Sequence, residues 1–316
     1  MDIINYTKQL YHNILYPNKN QVNSLDGTLC ENNGLLYINT FINNIKLNAF
    51  IDTGCKYSKI FSQTVEKCNL QNININNNIL YVDITIFNKK YYNAFNVLEK
   101  SLQSVVSPLI NSQNECPQLL ETNNGVNCDI VIGIDFLYLH KISIDFENNI
   151  IFSSDFCEII SLHNIQKNIE PSTYLYYDKN ELTELFDNKI SRFISLNYII
   201  IDIVINKKNI KALIDTGSNE CYISNTCINK CNLSKMVDYN INNDVYIDAN
   251  GVSKIIGRIW YINIGIGIYY IPCCLNISND SQFDIILGND FLIKNNVFID
   301  FTNRQLKLRN NIIITF

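Results

Sequence analysis

The tripeptide Asp-Thr-Gly occurs twice in this chain of 316 residues, each time directly after an apolar run. The copies begin at Asp52 and Asp215, 163 positions apart. Three further blocks recur in the same order around them. The matched pairs are Lys67–Leu70 with Lys230–Leu233, Asp129–Leu137 with Asp284–Leu292, and Ile144–Phe146 with Ile299–Phe301. Four matched blocks in one order predict two copies of one domain.

Each copy has the pattern of a β domain. Short runs of Ile, Val, Tyr and Phe alternate with Asn, Asp and Lys and are broken by turn residues, which is typical of strands. Only the segments 3–15 and 179–189 have helical patterns. We therefore expect an all-β fold with a short helical arm and linker. The predicted divisions are an arm at 1–33, a first β domain at 34–155, a partly helical linker at 156–190 and a second β domain at 191–316.

The amino-acid composition argues against several kinds of binding partner. The net charge of −5 gives no basic excess for nucleic acid, and no apolar run is long enough to span a bilayer. The start of the sequence lacks the pattern of a secretory signal. The 11 cysteines form no CxxC pair and no zinc-ligand spacing with the three histidines. We expect free thiols in the cytoplasm, with no cofactor, metal, nucleic acid or membrane.

In a strand that ends in Ile-Asp-Thr-Gly, each residue type has an expected position. The apolar run is buried, and the aspartate emerges at the strand's tip. The glycine permits a tight turn whose N–H groups point at the carboxylate, and the threonine hydroxyl can reach a partner turn. Alone, such a tripeptide is no more than a strand-to-turn cap. Matched apolar strands ending in Gly133 and Gly288 follow in the two copies and make the pattern specific.

These motifs resemble the retropepsin-like aspartic peptidases, and most nearly the protease domain of the DNA-damage-inducible, ubiquitin-shuttle type. The resemblance covers about 200–308 in the second copy and both ends of the first. It implies two tandem retropepsin-like acid-protease β-barrels related by a pseudo-two-fold axis. That family normally builds its active site from two chains, so the tandem predicts a monomer with a pseudo-dimeric site. A link to the ubiquitin pathway is implied by the resemblance alone.

The resemblance implies an aspartic endopeptidase with Asp52 and Asp215 as its catalytic pair. Two carboxyl groups at such a short distance share one proton. The ionised one therefore activates water, while the protonated one polarises the scissile carbonyl. A polypeptide substrate would bind in extended form, with apolar side chains beside the cut. The residues of the two turns that are expected to support the pair are Thr53, Gly54, Cys55, Thr216, Gly217 and Ser218.

The two copies differ between the Lys-Cys-Asn-Leu block and the next strand, where we align Ile79 with Ile259. The second copy has extra residues around Asn250-Gly251, a strong hairpin signal. In the resembled family this hairpin is the flap that closes over bound peptide. We expect a flap in the second domain alone, against the alternative of an ordinary surface hairpin. The predicted flap residues are Ile247, Asp248, Ala249, Asn250 and Gly251.

The position after each tripeptide also differs. Ser218 can donate a hydrogen bond to Asp215, whereas Cys55 is a weak donor beside Asp52. We therefore expect Asp215 to ionise more easily and Asp52 to hold the shared proton. The first copy also carries an insertion at about 99–127, which is expected as a long loop.

Two rival functions remain open from the sequence. Two features of the first copy, the weak donor Cys55 in place of a serine and the shortened middle, suggest a catalytically inactive module that binds a peptide or a partner protein. Alternatively, two second domains from separate chains could pair and form an intermolecular site.

Overall fold

The structure is a computed structural model. It describes residues 35–71, 78–86, 89–98, 128–148, 150–153, 158–161, 198–241, 245–248, 251–278, 283–309 and 312–316. The arm expected at 1–33, the helix expected at 179–189 and the loop expected at 99–127 lie outside the described residues. Within the segment expected as a linker, a strand at Glu158–Ser161 is described.

The two halves contain equivalent strands and short helices in the same order, and among the described residues the second half adds a 3₁₀ turn and the strand Val245–Asp248. The first half consists of β1 (Tyr37–Ile42), β2 (Ile45–Ile51), β3 (Lys59–Phe61), α1 (Ser62–Lys67), β4 (Ile79–Ile86), β5 (Lys89–Leu98), β6 (Ile130–Ile132), α2 (Ile134–Leu139), β7 (Ile142–Asp145), β8 (Ile150–Ser153) and β9 (Glu158–Ser161). The second half consists of β10 (Ile200–Ile205), β11 (Lys208–Ile214), β12 (Tyr222–Ser224), α3 (Asn225–Lys230), a 3₁₀ turn (Ser234–Met236), β13 (Val245–Asp248), β14 (Gly251–Ile266), β15 (Tyr269–Ser278), β16 (Ile285–Leu287), α4 (Asn289–Lys294), β17 (Phe298–Asp300), β18 (Gln305–Leu308) and β19 (Ile312–Thr315). The sequence does not indicate the four six-residue helices found among the described residues, because so short a helix shows no 3.6-residue periodicity.

Each half closes into a six-stranded barrel. The first has the strand order β1-β2-β6-β3-β5-β4, and Phe41 pairs with Thr85 to close it. The second has the equivalent order β10-β11-β16-β12-β15-β14, and Val204 pairs with Gly265. The predicted alignment of Ile79 with Ile259 makes Thr85 and Gly265 equivalent, so both barrels close at the same register. The predicted fold class, two tandem retropepsin-like barrels, is confirmed.

Along the strands, side chains that face the barrel core alternate with side chains that face away from it. In β4 every second side chain is buried, while the residues between them are half-buried or exposed. This is the period of a strand with one face against a core. Cys68 and Cys231, which occupy equivalent positions in the repeat, are both fully buried. Their carbonyl oxygens accept equivalent hydrogen bonds, from Asn43 Nδ2 at 2.9 Å and Asn206 Nδ2 at 2.8 Å.

A third sheet joins the two halves. Its strand order is β19-β18-β17-β7-β8-β9, so each half supplies three strands. At its centre β7 pairs with β17 in antiparallel fashion, and Ile144 lies opposite Ile299. These two isoleucines occupy equivalent positions in the repeat. The pseudo-two-fold axis therefore passes between them, and β9 belongs to this shared sheet rather than to a linker.

Candidate active site

The ends of two equivalent strands place Asp52 and Asp215. β2 runs parallel to β6, and the Asp52 N–H donates to the Ile132 carbonyl at 3.0 Å. β11 runs parallel to β16, and the Asp215 N–H donates to the Leu287 carbonyl at the same distance. The residues just before each aspartate are buried in a barrel core. Each carboxyl group thus leaves its barrel at a fixed point, as the sequence pattern predicted.

The glycines of the two turns bring the carboxyl groups together. The Gly54 N–H donates to Asp52 Oδ1 and the Gly217 N–H to Asp215 Oδ1, both at 2.8 Å. A methyl group added to Gly54 would lie 2.5 Å from Asp215 Oδ1, and one on Gly217 would lie 2.5 Å from Asp52 Oδ1. Each turn therefore packs against the opposite carboxyl group, and only glycine fits. Asp52 and Asp215 are also joined by a side-chain hydrogen bond.

Two buried threonines fasten the turns to each other. The Thr53 N–H donates to Thr216 Oγ1, and the Thr216 N–H donates to Thr53 Oγ1, both at 3.0 Å. Each hydroxyl then donates across the axis, from Thr53 to the Ile214 carbonyl and from Thr216 to the Ile51 carbonyl, both at 2.9 Å. Four hydrogen bonds thus join equivalent atoms of the two halves. They satisfy buried groups that would otherwise be costly.

The electrostatics of the pair are asymmetric. Asp52 is 3% exposed, whereas Asp215 is half-buried. Burial raises the pKa of Asp52 well above its usual range, and the neighbouring charge of Asp215 and their shared hydrogen bond raise it further. Burial therefore favours the protonated form of the Asp52 carboxyl group.

The fourth position of each turn adds to this asymmetry. Ser218 Oγ donates to Asp215 Oδ2 at 2.8 Å, which stabilises the ionised form of that carboxylate. Cys55 Sγ instead donates to the Tyr57 carbonyl at 3.0 Å. Burial raises the pKa of the Cys55 thiol to about 12. Hydrogen bonding of the Ser218 hydroxyl to Asp215 agrees with the sequence analysis, while the Cys55 thiol points to backbone.

The hairpin predicted in the second half is present in the backbone. β13 pairs with the start of β14, with Ile247 opposite Val252 and Asp248 opposite Gly251. The connecting residues Ala249 and Asn250 lie outside the described residues. In the first half only eight residues separate Leu70 from Ile79, against 25 between Leu233 and Ile259.

Several residues around the turns were missed or only partly foreseen. The buried Asn289 donates from Nδ2 to the Thr216 carbonyl at 2.8 Å, where the first copy has Ile134. Comparison of the two copies could have revealed this difference. Asp135 accepts hydrogen bonds from the Ser58 N–H and hydroxyl, and Asp290 accepts one from the Cys221 thiol.

The described part of the chain contains no group of three or more His, Cys, Asp or Glu side chains placed to hold a metal ion. No helix among the same residues is long and apolar enough to cross a membrane. Eight cysteines are described, and none of these eight is in a disulfide.

Two six-stranded barrels thus present paired Asp-Thr-Gly turns to each other across a pseudo-two-fold axis. Residues 191–300 match the family model described as aspartyl protease. The DNA damage-inducible protein 1 of Cryptococcus neoformans var. neoformans serotype D is 23% identical over 145 residues, which cover 46% of this chain and 33% of that protein. The UBA domain-containing protein Mud1 of Schizosaccharomyces pombe is 24% identical over 144 residues, covering 46% and 43%.

Among solved structures, the retroviral protease-like domain of Ddi1 from Leishmania major is similar, with 23% identity and a TM-score of 0.32. The match covers 37% of this chain and 88% of that domain. The chain covers less than half of the length of the two curated relatives. The family model and the relatives confirm the predicted resemblance, which is to the retropepsin-like aspartic protease domain of the DNA damage-inducible type.

Proposed function

We propose that this chain is an aspartic endopeptidase with one intramolecular active site, formed by Asp52 of the first half and Asp215 of the second. The observation that carries the proposal is the mutual contact of the two turns, in which each glycine faces the opposite carboxyl group. This geometry supports two carboxyl groups that share one proton in a buried setting. Such a pair is the machinery that hydrolyses a peptide bond without a metal or a covalent intermediate.

The asymmetry of the pair assigns a role to each carboxyl group. Asp215, ionised and supported by Ser218, takes a proton from the water between the two groups. The hydroxide oxygen bonds to the scissile carbonyl carbon, while Asp52 donates its proton to the carbonyl oxygen. The resulting gem-diol collapses when the amide nitrogen receives a proton from Asp215 and the C–N bond breaks. A hydroxyl proton of the diol returns to Asp52, so the pair is regenerated.

The hairpin of β13 and β14 is proposed as the flap, with Ile247, Asp248, Ala249, Asn250 and Gly251 at and beside its tip. Its paired backbone and its place in the second barrel support this role. An extended peptide would bind between the hairpin and the two turns, with main-chain hydrogen bonds as in strand addition. Closure of the hairpin would exclude bulk water from the carboxyl pair.

An intramolecular pair is favoured over a dimer of second halves by two contacts. The threonine hydrogen bonds and the β7–β17 pairing already use the surfaces through which a second copy of the second half would bind. A monomeric active enzyme is therefore the expected state. One observation favours the second candidate, an inactive peptide-binding module: the Cys55 thiol donates to backbone rather than to Asp52.

The experiment is cleavage of a diverse mixture of unstructured peptides by the purified chain, between pH 4 and 7. Asp52→Asn and Asp215→Asn are assayed beside it, with sedimentation of each protein. Cuts by a monomer that vanish in both variants are the expected result. Cuts that persist in Asp52→Asn would move the site to paired second halves. A folded chain that binds peptides without cutting them would be the binding module.

We further propose a reducing compartment such as the cytoplasm and, from the resemblance alone, a partner in the ubiquitin pathway. The eight free cysteines among the described residues support the first. The second comes from the name of Mud1, which refers to a UBA domain. Retention of the chain on immobilised ubiquitin chains, compared with an uncoated resin, tests the second.

A further inference from the structure

The loops that follow the two Asp-Thr-Gly turns carry opposite charge. The first loop contains Lys56 and Lys59 and no acidic residue, whereas their equivalents in the second loop are Asn219 and Tyr222. The acidic residue of the second loop, Glu220, replaces Tyr57 of the first. Two loops at equivalent positions around one carboxyl pair therefore differ by three units of formal charge.

The strand register places Lys59 on the same face as the Asp52 carboxyl group. Ile60 points into the barrel core, so Lys59 and Phe61 point to the opposite face of β3. Lys59 lies opposite Val131 on β6, and Val131 lies beside Phe50 on β2. Phe50, Phe61 and Val131 form one apolar cluster on that face. Asp52 follows Phe50 by two residues and shares its face.

The two lysines of this loop interact with groups on both sides of the axis. The positive charge of Lys59 acts on Asp52 and opposes the rise in the pKa of that carboxyl group. Lys56 Nζ lies 4.8 Å from the ring centroid of Tyr198, a residue of the second half. Tyr198 in turn lies within the electrostatic reach of both Asp52 and Asp215. The loop of the first half is therefore anchored across the axis, beside the reacting groups.

Neither lysine forms an ion pair within the part of the chain that the structure describes. Both are half-buried, and among the described residues no ion pair or hydrogen bond to the ammonium group of Lys59 is formed. The second loop differs, because Glu220 accepts a hydrogen bond from Asn276 and lies 3.6 Å from Arg258 Nη2. A half-buried lysine without an anion gains from binding one, since charge-assisted hydrogen bonds are the stronger kind.

We propose that Lys59, supported by Lys56, forms a cationic subsite that selects a substrate peptide carrying a glutamate or aspartate on one side of the scissile bond. This inference rests on the proposed peptidase function and refines the expectation of apolar side chains beside the cut. The subsite is confined to the first half, because Tyr222 occupies the equivalent position in the second. The preference therefore applies to one side of the cut only.

The test compares peptides that differ by a single glutamate-to-glutamine change at each position around a cleaved bond. At one position, on one side, kcat/KM should be about tenfold higher for glutamate, the contribution of a charge-assisted hydrogen bond. Lys59→Met should remove this difference, so that the glutamate and glutamine peptides are cleaved with equal kcat/KM whatever their common rate. Lys59→Glu should favour lysine at that position. Lys46→Met is the matched control, because Lys46 is exposed at the far end of β2.

A binding assay separates this inference from the proposed function. The same peptides, with a fluorophore, are titrated with the Asp215→Asn protein and with its Lys59→Met derivative. Tighter binding of the glutamate peptide that depends on Lys59 supports the subsite even if the wild-type chain cuts nothing. Equal affinity and equal cleavage of glutamate and glutamine peptides at every position would overturn the subsite and leave the peptidase proposal intact. A glutamate preference that survives Lys59→Met would also overturn it.

Discussion

Thr53 and Thr216 exchange hydrogen bonds across the pseudo-two-fold axis, each donating its N–H to the hydroxyl oxygen of the other at 3.0 Å. Both residues are fully buried. Neither half can keep its own Asp-Thr-Gly turn in this conformation unless the other half is in place. The positions of Asp52 and Asp215 are therefore a property of the assembled pair.

The first prediction concerns this exchange. Thr53→Val removes the acceptor of the Thr216 N–H and the donor to the Ile214 carbonyl, leaving two buried groups without partners. The free energy of unfolding should fall by about 3 kcal/mol, measured by urea denaturation. Thr53→Ser keeps the oxygen and should cost about 1 kcal/mol for the lost methyl group. Equal losses in the two variants would show that the hydrogen bonds do not contribute.

The second prediction concerns the glycines of the turns. Gly54→Ala and Gly217→Ala each place a methyl group 2.5 Å from a carboxylate oxygen of the opposite half. The carboxyl pair must separate, and kcat/KM should fall by at least about 100-fold, a loss typical of small misplacements of reacting groups. Gly267→Ala is the control, because its methyl group would meet nothing within 4 Å. It should keep its activity, despite strain of about 1 kcal/mol at φ +59°.

The third prediction follows from the raised pKa of Asp52. Because the folded pKa lies above the unfolded value, the stabilising contribution of Asp52 is complete at low pH and is lost as the pH rises. Asp52→Asn has no such loss. The free energy of unfolding of the variant minus that of the wild type should therefore increase between pH 3 and pH 7. A difference that is constant over this range would contradict the raised pKa.

The fourth prediction distinguishes the two turns by their fourth residues. Ser218→Ala removes a hydrogen bond to the ionised form of Asp215, so the acidic limb of the kcat/KM profile should move to higher pH. Cys55→Ala removes a bond to the Tyr57 carbonyl and should leave that limb in place. A shift of similar size in both variants would argue against the assignment of Asp215 as the ionised partner.

The fifth prediction uses a natural difference between the halves. Burial raises the pKa of Asp135 and of Asp290 to about 6, so each loses stabilising free energy as the pH rises from about 4 to 6. Ser58 donates a hydroxyl to Asp135 at 2.7 Å, whereas Cys221 donates a weaker thiol to Asp290 at 3.0 Å. Cys221→Ser should therefore stabilise the protein at pH 7 by about 1 kcal/mol. Ser58→Cys should destabilise it by a similar amount, and thermal unfolding of both measures the effect.

The repeat made most of the barrel architecture predictable. Once Asp52 was matched with Asp215, the alternation of buried residues in strands such as β4 followed from the sequence. The alignment of Ile79 with Ile259 was correct from Val82 and Ile262 onward, whereas a β-bulge between Ile259 and Ile262 interrupts the shared alternation before that point. It is confirmed by the equivalent closing pairs Phe41–Thr85 and Val204–Gly265.

Contacts between the halves were less predictable, because they join residues that are distant in sequence and have no periodic signature. The pairing of Ile144 with Ile299 could have been suspected from their matched blocks, but nothing in Glu158–Ser161 indicates a strand of the shared sheet. The contact of Lys56 with Tyr198 depends on how the two barrels face each other. The Thr53–Thr216 exchange was predictable because each tripeptide already places a hydroxyl next to a tight turn.

The shared sheet has a consequence for how this site would behave at low protein concentration. When two halves are parts of one chain, their encounter is a unimolecular step at an effective concentration of about a millimolar. Assembly then does not depend on how many molecules a cell contains. Activity per molecule would stay constant on dilution to levels at which a pair of separate chains dissociates. Each half is also free to accumulate its own substitutions, because a change at Ile144 no longer imposes the same change at Ile299.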